Sequence, residues 1–262
     1  MTPVRLGAVA YLNARPLVFD LERSDLFTVR FDTPAVCAVK LAEGRLDLGT
    51  IPSIEYQRGS DYRIVPGVAI ASRGDVASVA VYTRRAVSDV LSVAVDTSSR
   101  TSVALLHVLC ARAFGINPVL EPMAPDLDTM LSRCDAALII GDRSLFLDHE
   151  AVGLRKIDLG RAWTAMTGRP FVWALWVGRP GGVDASGVLE LQAARDAGVA
   201  ASDSIAAEYV SGNAERAAIA RRYLRENMWY ALDEEATAGL LEFFRLAGEL
   251  DLAPQPVALR YY

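Results

Sequence analysis

Short apolar runs of strand length alternate with helix-like stretches from the first residues onward, and this alternation confines the chain to the α/β class with largely parallel sheets. Val4 to Ala10 reads as a strand and Ala14 to Leu21 as a helix. Phe27 to Phe31 is a second strand, after which Thr33 and Pro34 offer an N-cap and a first-turn proline for a helix that Gly44 stops. Leu46 to Ile51 is a third strand. A new cycle opens at Val93 to Val95. It continues through a helix from Ser102 to Phe114 ended by Gly115, a strand at Val119 to Glu121, a helix from Leu127 to Arg133 and the apolar strand Ala136 to Ile140.

Two extended runs bracket that second cycle. Ala77 to Tyr82 follows Arg63 to Ile70, and Phe171 to Val177 carries no turn signal. Two such runs crossing between lobes make a hinge. The expected division is a discontinuous first lobe of residues 1–83 and 171–262, with residues 84–170 inserted as the second. From Asp184 to Leu252, apolar residues recur at three-to-four spacing with Gly187, Gly198 and Gly212 as punctuation. That pattern predicts successive amphipathic helices packed on the first lobe.

Composition removes several function classes. With 262 residues, 52% of them hydrophobic, the chain can bury a substantial core, yet no apolar run approaches the roughly 18 residues needed to cross a bilayer. No membrane association is expected. A formal net charge of −5 with scattered basic residues lacks the stripe that binds a phosphate backbone, so nucleic acid is not an expected partner. The start Met-Thr-Pro-Val-Arg has no apolar secretory core, which predicts a cytoplasmic protein. Cys37, Cys110 and Cys134 are odd in number and lie in apolar surroundings, as buried reduced thiols do. His107 and His149 are the only histidines, too few for a His-rich metal site, and His107 reads as a core or boundary residue among Val103, Leu106 and Cys110. No phosphate-binding or dinucleotide-binding glycine loop and no Gly-x-Ser-x-Gly elbow occurs, so neither a metal nor an organic cofactor is expected. Nothing in the sequence fixes an oligomeric state.

The junctions where strands give way to helices carry the chemistry. They are rich in hydroxyl, amide and glycine residues, which bring backbone N–H groups and a positive dipole end to where an anion can sit. At Tyr11-Leu12-Asn13, Asn13 can cap the following helix or point into a cleft. Ser53 stands before a helical turn in the same way. Thr97, Ser98, Ser99, Thr101 and Ser102 place five hydroxyls ahead of one apolar helix, where a single cap suffices; the excess points to a nest for a carboxylate or phosphate. Gly141 and Asp142 end the strand Ala136 to Ile140, and Asp142, which would repel an anion, reads as a cap or hinge partner. Ser78 opens a crossing run and can face the cleft.

Residues 7–17, with the Tyr-Leu-Asn-x-x-Pro-Leu pattern, resemble the chorismate dehydratase family in combination with 51–56, Ser78-Val79, 140–142 and the Asp-Leu-Gly…Trp…Thr-Gly-x-Pro-Phe pattern of 158–171. The resemblance runs in order over about the first 180 residues. It implies a type II periplasmic-binding-protein fold and a hydro-lyase that converts chorismate, a small dianion, to 3-[(1-carboxyvinyl)oxy]benzoate in the futalosine route to menaquinone. It also implies that Asn13 and Ser78 are catalytic, with the substrate's enolpyruvyl carboxylate as base. Tyr11, Ser53, Thr97, Ser98, Ser99, Thr101 and Gly141 are the candidates for holding the substrate. An arginine for the carboxylates is not evident, with Arg15, Arg73 and Arg143 as possibilities. The alternatives are a non-catalytic solute-binding or ligand-sensing protein of the same fold, and 1,4-dihydroxy-6-naphthoate synthase. The latter family opens with a Ser-Pro-Cys-Pro-Asn-Asp-like segment that is not evident here.

Overall fold

The computed structural model describes residues 2–59, 61–255 and 258–262. Along the chain come β1 (Val4–Val9), β2 (Phe27–Asp32), α1 (Pro34–Ala42), β3 (Leu48–Pro52), α2 (Ser53–Arg58), β4 (Arg63–Ser72) and β5 (Val79–Thr83). Then follow β6 (Ser92–Asp96), α3 (Arg100–Leu109), β7 (Val119–Met123), α4 (Leu127–Arg133), β8 (Ala136–Ile140), α5 (Asp142–Leu145), β9 (Arg155–Asp158), α6 (Leu159–Thr167) and β10 (Phe171–Gly178). The tail forms α7 (Ala185–Ala200), α8 (Ser202–Tyr209), α9 (Ala214–Arg222), β11 (Met228–Leu232) and α10 (Glu234–Glu249).

The strands build two sheets, a six-stranded one in the order β11-β4-β10-β3-β1-β2 and a five-stranded one in the order β7-β6-β8-β5-β9. Each is mixed rather than largely parallel. The β1, β2 and β3 pairs are parallel, as are those of β6 with β7 and β8, because helices carry the chain back between them. Strands that arrive from the other sheet join antiparallel: β10 between β3 and β4, and β5 between β8 and β9. Central strands β3, β8 and β10 are buried along their whole length, since both faces of each sheet are covered.

The expected crossing strands are not the crossings. β5 pairs along its length inside the five-stranded sheet, so residues 79–83 belong there and not with the first lobe; β10 lies wholly in the six-stranded sheet. Backbone groups already used in one ladder cannot span to another. The chain crosses instead through the short segment 73–78 and through α6. The helix expected over Ala14 to Leu21 is a 3₁₀ turn at Leu12–Val18, because Pro16 has no N–H to continue an α-helical ladder. β9 and β11 are not expected from the sequence, the first being short and charged, the second an edge strand within helix-like sequence. The expected buried free thiols are found at all three cysteines. His107 is exposed on α3 rather than in the core.

One continuous apolar core spans the two sheets, with a smaller cluster around Ala80, Tyr82 and Met130. The tail helices pack on the six-stranded sheet. α10 lies behind β10, where Phe243 meets Phe171 edge-on at 4.8 Å and Phe171 meets Trp163 of α6 at 5.2 Å. α7 and α8 pack on the 3₁₀ turn after β1. Among the described residues no helix is long and apolar enough to cross a membrane.

Candidate functional site

The C-terminal ends of β1, β3 and β8, the N-terminus of α3 and the crossing segment 73–78 meet at a narrow cavity between the two sheets. Its polar lining is Tyr11, Asn13, Ser78, Ser99, Thr101 and Ser102; Val9, Ile70, Ile140 and Trp173 are among its apolar walls. Gly141 also lines it with φ at +65°, and a Cβ there would lie 3.0 Å from the Tyr11 ring, so glycine lets that ring close over the turn. No lining side chain is a carboxylate, an imidazole, an ammonium or a guanidinium.

Asn13 sits in the 3₁₀ turn, whose N-cap position is Tyr11 and whose cap is made by no side chain. The capping reading of Asn13 is therefore excluded. Its Oδ1 is buried with no hydrogen-bond partner among the described residues, an arrangement whose penalty is of the order of 1–3 kcal/mol. The other side of this polar cluster comes from the tail. Ser78, fully buried from solvent, shares a 2.8 Å hydrogen bond with the Tyr223 hydroxyl. Burial pushes the Tyr223 phenol well above its ordinary range, while Ser78 and Asn13 favour its ionised form. Tyr223 starts the π-helical turn Tyr223–Asn227 after α9, a distortion found often at functional sites.

The hydroxyl run ahead of α3 divides its work. Ser99 caps the helix, accepting from Ser102 N at 3.3 Å. Ser98 is bound to Asp96 through both its N–H and its hydroxyl, and its Oγ lies 3.4 Å from the Tyr11 hydroxyl behind the cavity wall. Thr101 closes the gap between sheets: its Oγ1 accepts from Ile54 N at 3.3 Å and lies 3.4 Å from Ser53 Oγ. Three of the expected substrate-holding residues do not line the cavity, Ser98 among them. Ser53 is fully buried behind Thr101, donating to Val172 O at 2.7 Å, and does not line the cavity. Thr97 is exposed in the turn before the cap and does not line it either.

Other groups hold the halves together around the site. Asp142, at the end of β8, accepts from Leu12 N at 3.2 Å and from the Tyr209 hydroxyl of α8, as a partner bridging the halves and not as a ligand. Burial raises its pKa against the pull of Tyr209 and Leu12. Burial likewise raises the Tyr11 phenol. Arg100 of α3 pairs with Glu55 of α2 at 2.7 Å. None of the three arginines considered reaches the cavity. Arg15 stacks on Phe31 at 4.3 Å, Arg73 pairs with Asp233 and Glu235, and Arg143 is exposed. A bound anion would instead face the N-terminal amides and hydroxyls of α3. Among the described residues no group of three His, Cys, Asp or Glu side chains could hold a metal.

Residues 4–249 match the model of the menaquinone biosynthesis family. The chain belongs to that family. A chorismate dehydratase of Thermus thermophilus is 30% identical over 274 aligned residues, covering 97% of this chain and 98% of the relative. Protein AF1704 of Archaeoglobus fulgidus shares the fold with a TM-score of 0.75 at 17% identity, over 96% of this chain and 98% of that one. The periplasmic aliphatic sulphonate binding protein SsuA of Escherichia coli does so with a TM-score of 0.66 at 17% identity, over 98% and 95%. The expected periplasmic-binding-protein fold is thus the fold of this family member.

No sequence signal points to Tyr223 in this site, since it lies in the helical tail with no motif around it. It leads to a direct expectation. Tyr223→Phe removes the hydroxyl that Ser78 Oγ bonds at 2.8 Å and leaves that buried oxygen with no partner among the described residues, which should lower stability by about 1 kcal/mol. If Tyr223 orients Ser78 toward substrate, kcat should also fall about tenfold with little change in KM. Unchanged kcat in a folded variant would reduce Tyr223 to packing.

Proposed function

We propose that the chain is a chorismate dehydratase, a hydro-lyase that converts chorismate to 3-[(1-carboxyvinyl)oxy]benzoate and water in the cytoplasm. The observation that carries this reading is a cavity whose polar lining consists of hydroxyls and one amide, with the Asn13 Oδ1 unpartnered. A site so poor in strong bases suits a substrate that brings its own. The 30% identity to a chorismate dehydratase supports the same reaction.

In the reaction, the ring C3 proton and the C4 hydroxyl depart together as water, and the ring becomes aromatic. The substrate's enolpyruvyl carboxylate, held near C3, takes the proton. The C1 carboxylate conjugated to the ring carries charge as that proton leaves, and the amides and hydroxyls at the start of α3 stabilise it. Asn13 Oδ1 accepts from the C4 hydroxyl and fixes its orientation. Ser78, itself bonded to Tyr223, donates to that oxygen as the C–O bond breaks. The carboxylate then gives up its proton to the leaving oxygen, so no proton is gained or lost. Trp173, Ile70 and Ile140 exclude water and hold the ring.

The fold is shared with binding proteins, so the test must read turnover rather than binding. Purified protein treated with a strong chelator and incubated with chorismate is expected to yield the aromatic product at an undiminished rate. No product from either treated or untreated protein would refute the assignment. Activity lost to the chelator and restored by a divalent ion would refute the metal-free mechanism.

A further inference from the structure

Ser78 depends on an unusual piece of backbone. The residue before it, Ala77, has φ at +59°, in the left-handed region that a residue with a Cβ rarely adopts. The turn is closed by Ser78 N donating to Val76 O at 2.7 Å, a tight three-residue form that is seldom seen because it is strained. This turn lies in the crossing segment between the sheets and aims Ser78 at the cavity.

The turn is gripped from one side by β9 and α6. Asp158 Oδ1 accepts from Val76 N at 3.0 Å and Oδ2 from Ala77 N at 2.7 Å. Lys156 Nζ donates to Ala77 O at 2.6 Å. Thr164 accepts from Gly74 N at 3.1 Å, and Arg161 pairs with Asp75. The approach leaves no room for a side chain at Gly160, where a Cβ would lie 2.5 Å from Gly74 O and 3.0 Å from Val76 N. The sequence pattern Asp-Leu-Gly…Thr therefore marks where a helix clasps the crossing segment.

We infer that Asp158 and Lys156 are positioning residues, which together hold the strained turn at Ala77 and so fix Ser78 against the substrate. The inference rests on the reading of Ser78 as a substrate-facing group. Two amides and one carbonyl of consecutive residues are tied to an anion and a cation two residues apart, which over-determines a conformation the chain would otherwise leave.

Asp158→Asn isolates this role. Asp158 also caps α6 by accepting from Arg161 N, and asparagine caps as well as aspartate does. It offers only one acceptor oxygen where three N–H groups converge, so the turn loses its hold while the helix start survives. With chorismate as substrate, Asp158→Asn should lower kcat at least about tenfold with KM nearly unchanged. Ala77→Gly removes the strain the brace opposes, because glycine takes a left-handed φ freely. In the Ala77→Gly background, Asp158→Asn should therefore cost only about twofold in kcat. Lys156→Met should behave like Asp158→Asn, with a loss that Ala77→Gly likewise reduces. Equal losses in both backgrounds, or no loss in either, would overturn the brace.

Thermal melting of the natural protein, Asp158→Asn, Ala77→Gly and their double variant separates this inference from the reaction. If the natural protein does not turn over chorismate, the functional reading fails. The brace is then supported only if Asp158→Asn lowers the melting temperature more beside Ala77 than in the Ala77→Gly background. Additive shifts would overturn it.

Discussion

Asn13→Leu is expected to melt within a few degrees of the natural protein while losing at least about a hundredfold in kcat/KM for chorismate. The two effects have one origin. Asn13 Oδ1 is a buried acceptor with no partner among the described residues, and an apolar group of similar size removes its desolvation penalty, which offsets the loss of the amide's hydrogen bond to the Tyr223 hydroxyl. The same replacement removes the atom proposed to accept from the C4 hydroxyl. Asn13→Asp separates shape from charge: it keeps an acceptor at the same place but sets a carboxylate beside a dianionic substrate, and turnover should fall similarly. Kinetics and melting on one preparation decide the matter. A leucine variant that still turns over chorismate normally would leave Asn13 without a catalytic role.

Gly198→Ala is expected to lower stability by about 1–3 kcal/mol and to reduce turnover together with it. Gly198 lies on α7 against the 3₁₀ turn, and a Cβ there would sit 2.1 Å from Pro16 O and 2.6 Å from Pro16 C. Those are backbone atoms, so either α7 or the turn must shift. The turn carries Asn13 three residues before Pro16, and displacements of about 1 Å at a catalytic group can cost about a hundredfold. Melting temperature and kcat are the measurements. A variant with normal melting and normal turnover would show that α7 does not set the position of the turn.

The Gly198 contact illustrates how the tail takes part in a site it does not line. Sequence reading placed amphipathic helices there and nothing more. Packing puts α7 against the Asn13 turn, Tyr209 of α8 on Asp142, and Tyr223 on Ser78. None of these contacts leaves a local signature, because a tyrosine on a helix reads the same whether its hydroxyl meets solvent or a buried serine. The hydroxyl run from Thr97 to Ser102 was legible as a helix start with spare polar groups. Only the fold decides which of them reaches the cavity: Ser99, Thr101 and Ser102 do, while Ser98 is held by Asp96 and Thr97 is exposed.

By itself the sequence determined the α/β class, most strand positions, the start of α3 and the candidate status of Asn13 and Ser78. These depend on periodicity, turn chemistry and motif order, which act over a few residues. The tertiary structure decided the mixed sheets, the assignment of β5 and β10, and the crossing through segment 73–78 and α6. It also decided that Asn13 is an unpartnered acceptor and not a cap. Strand direction and side-chain partnership depend on which distant segments share a core. Ser78 and Tyr223, 145 positions apart, meet because packing of the tail brings them into one buried cluster, where each hydroxyl satisfies the other.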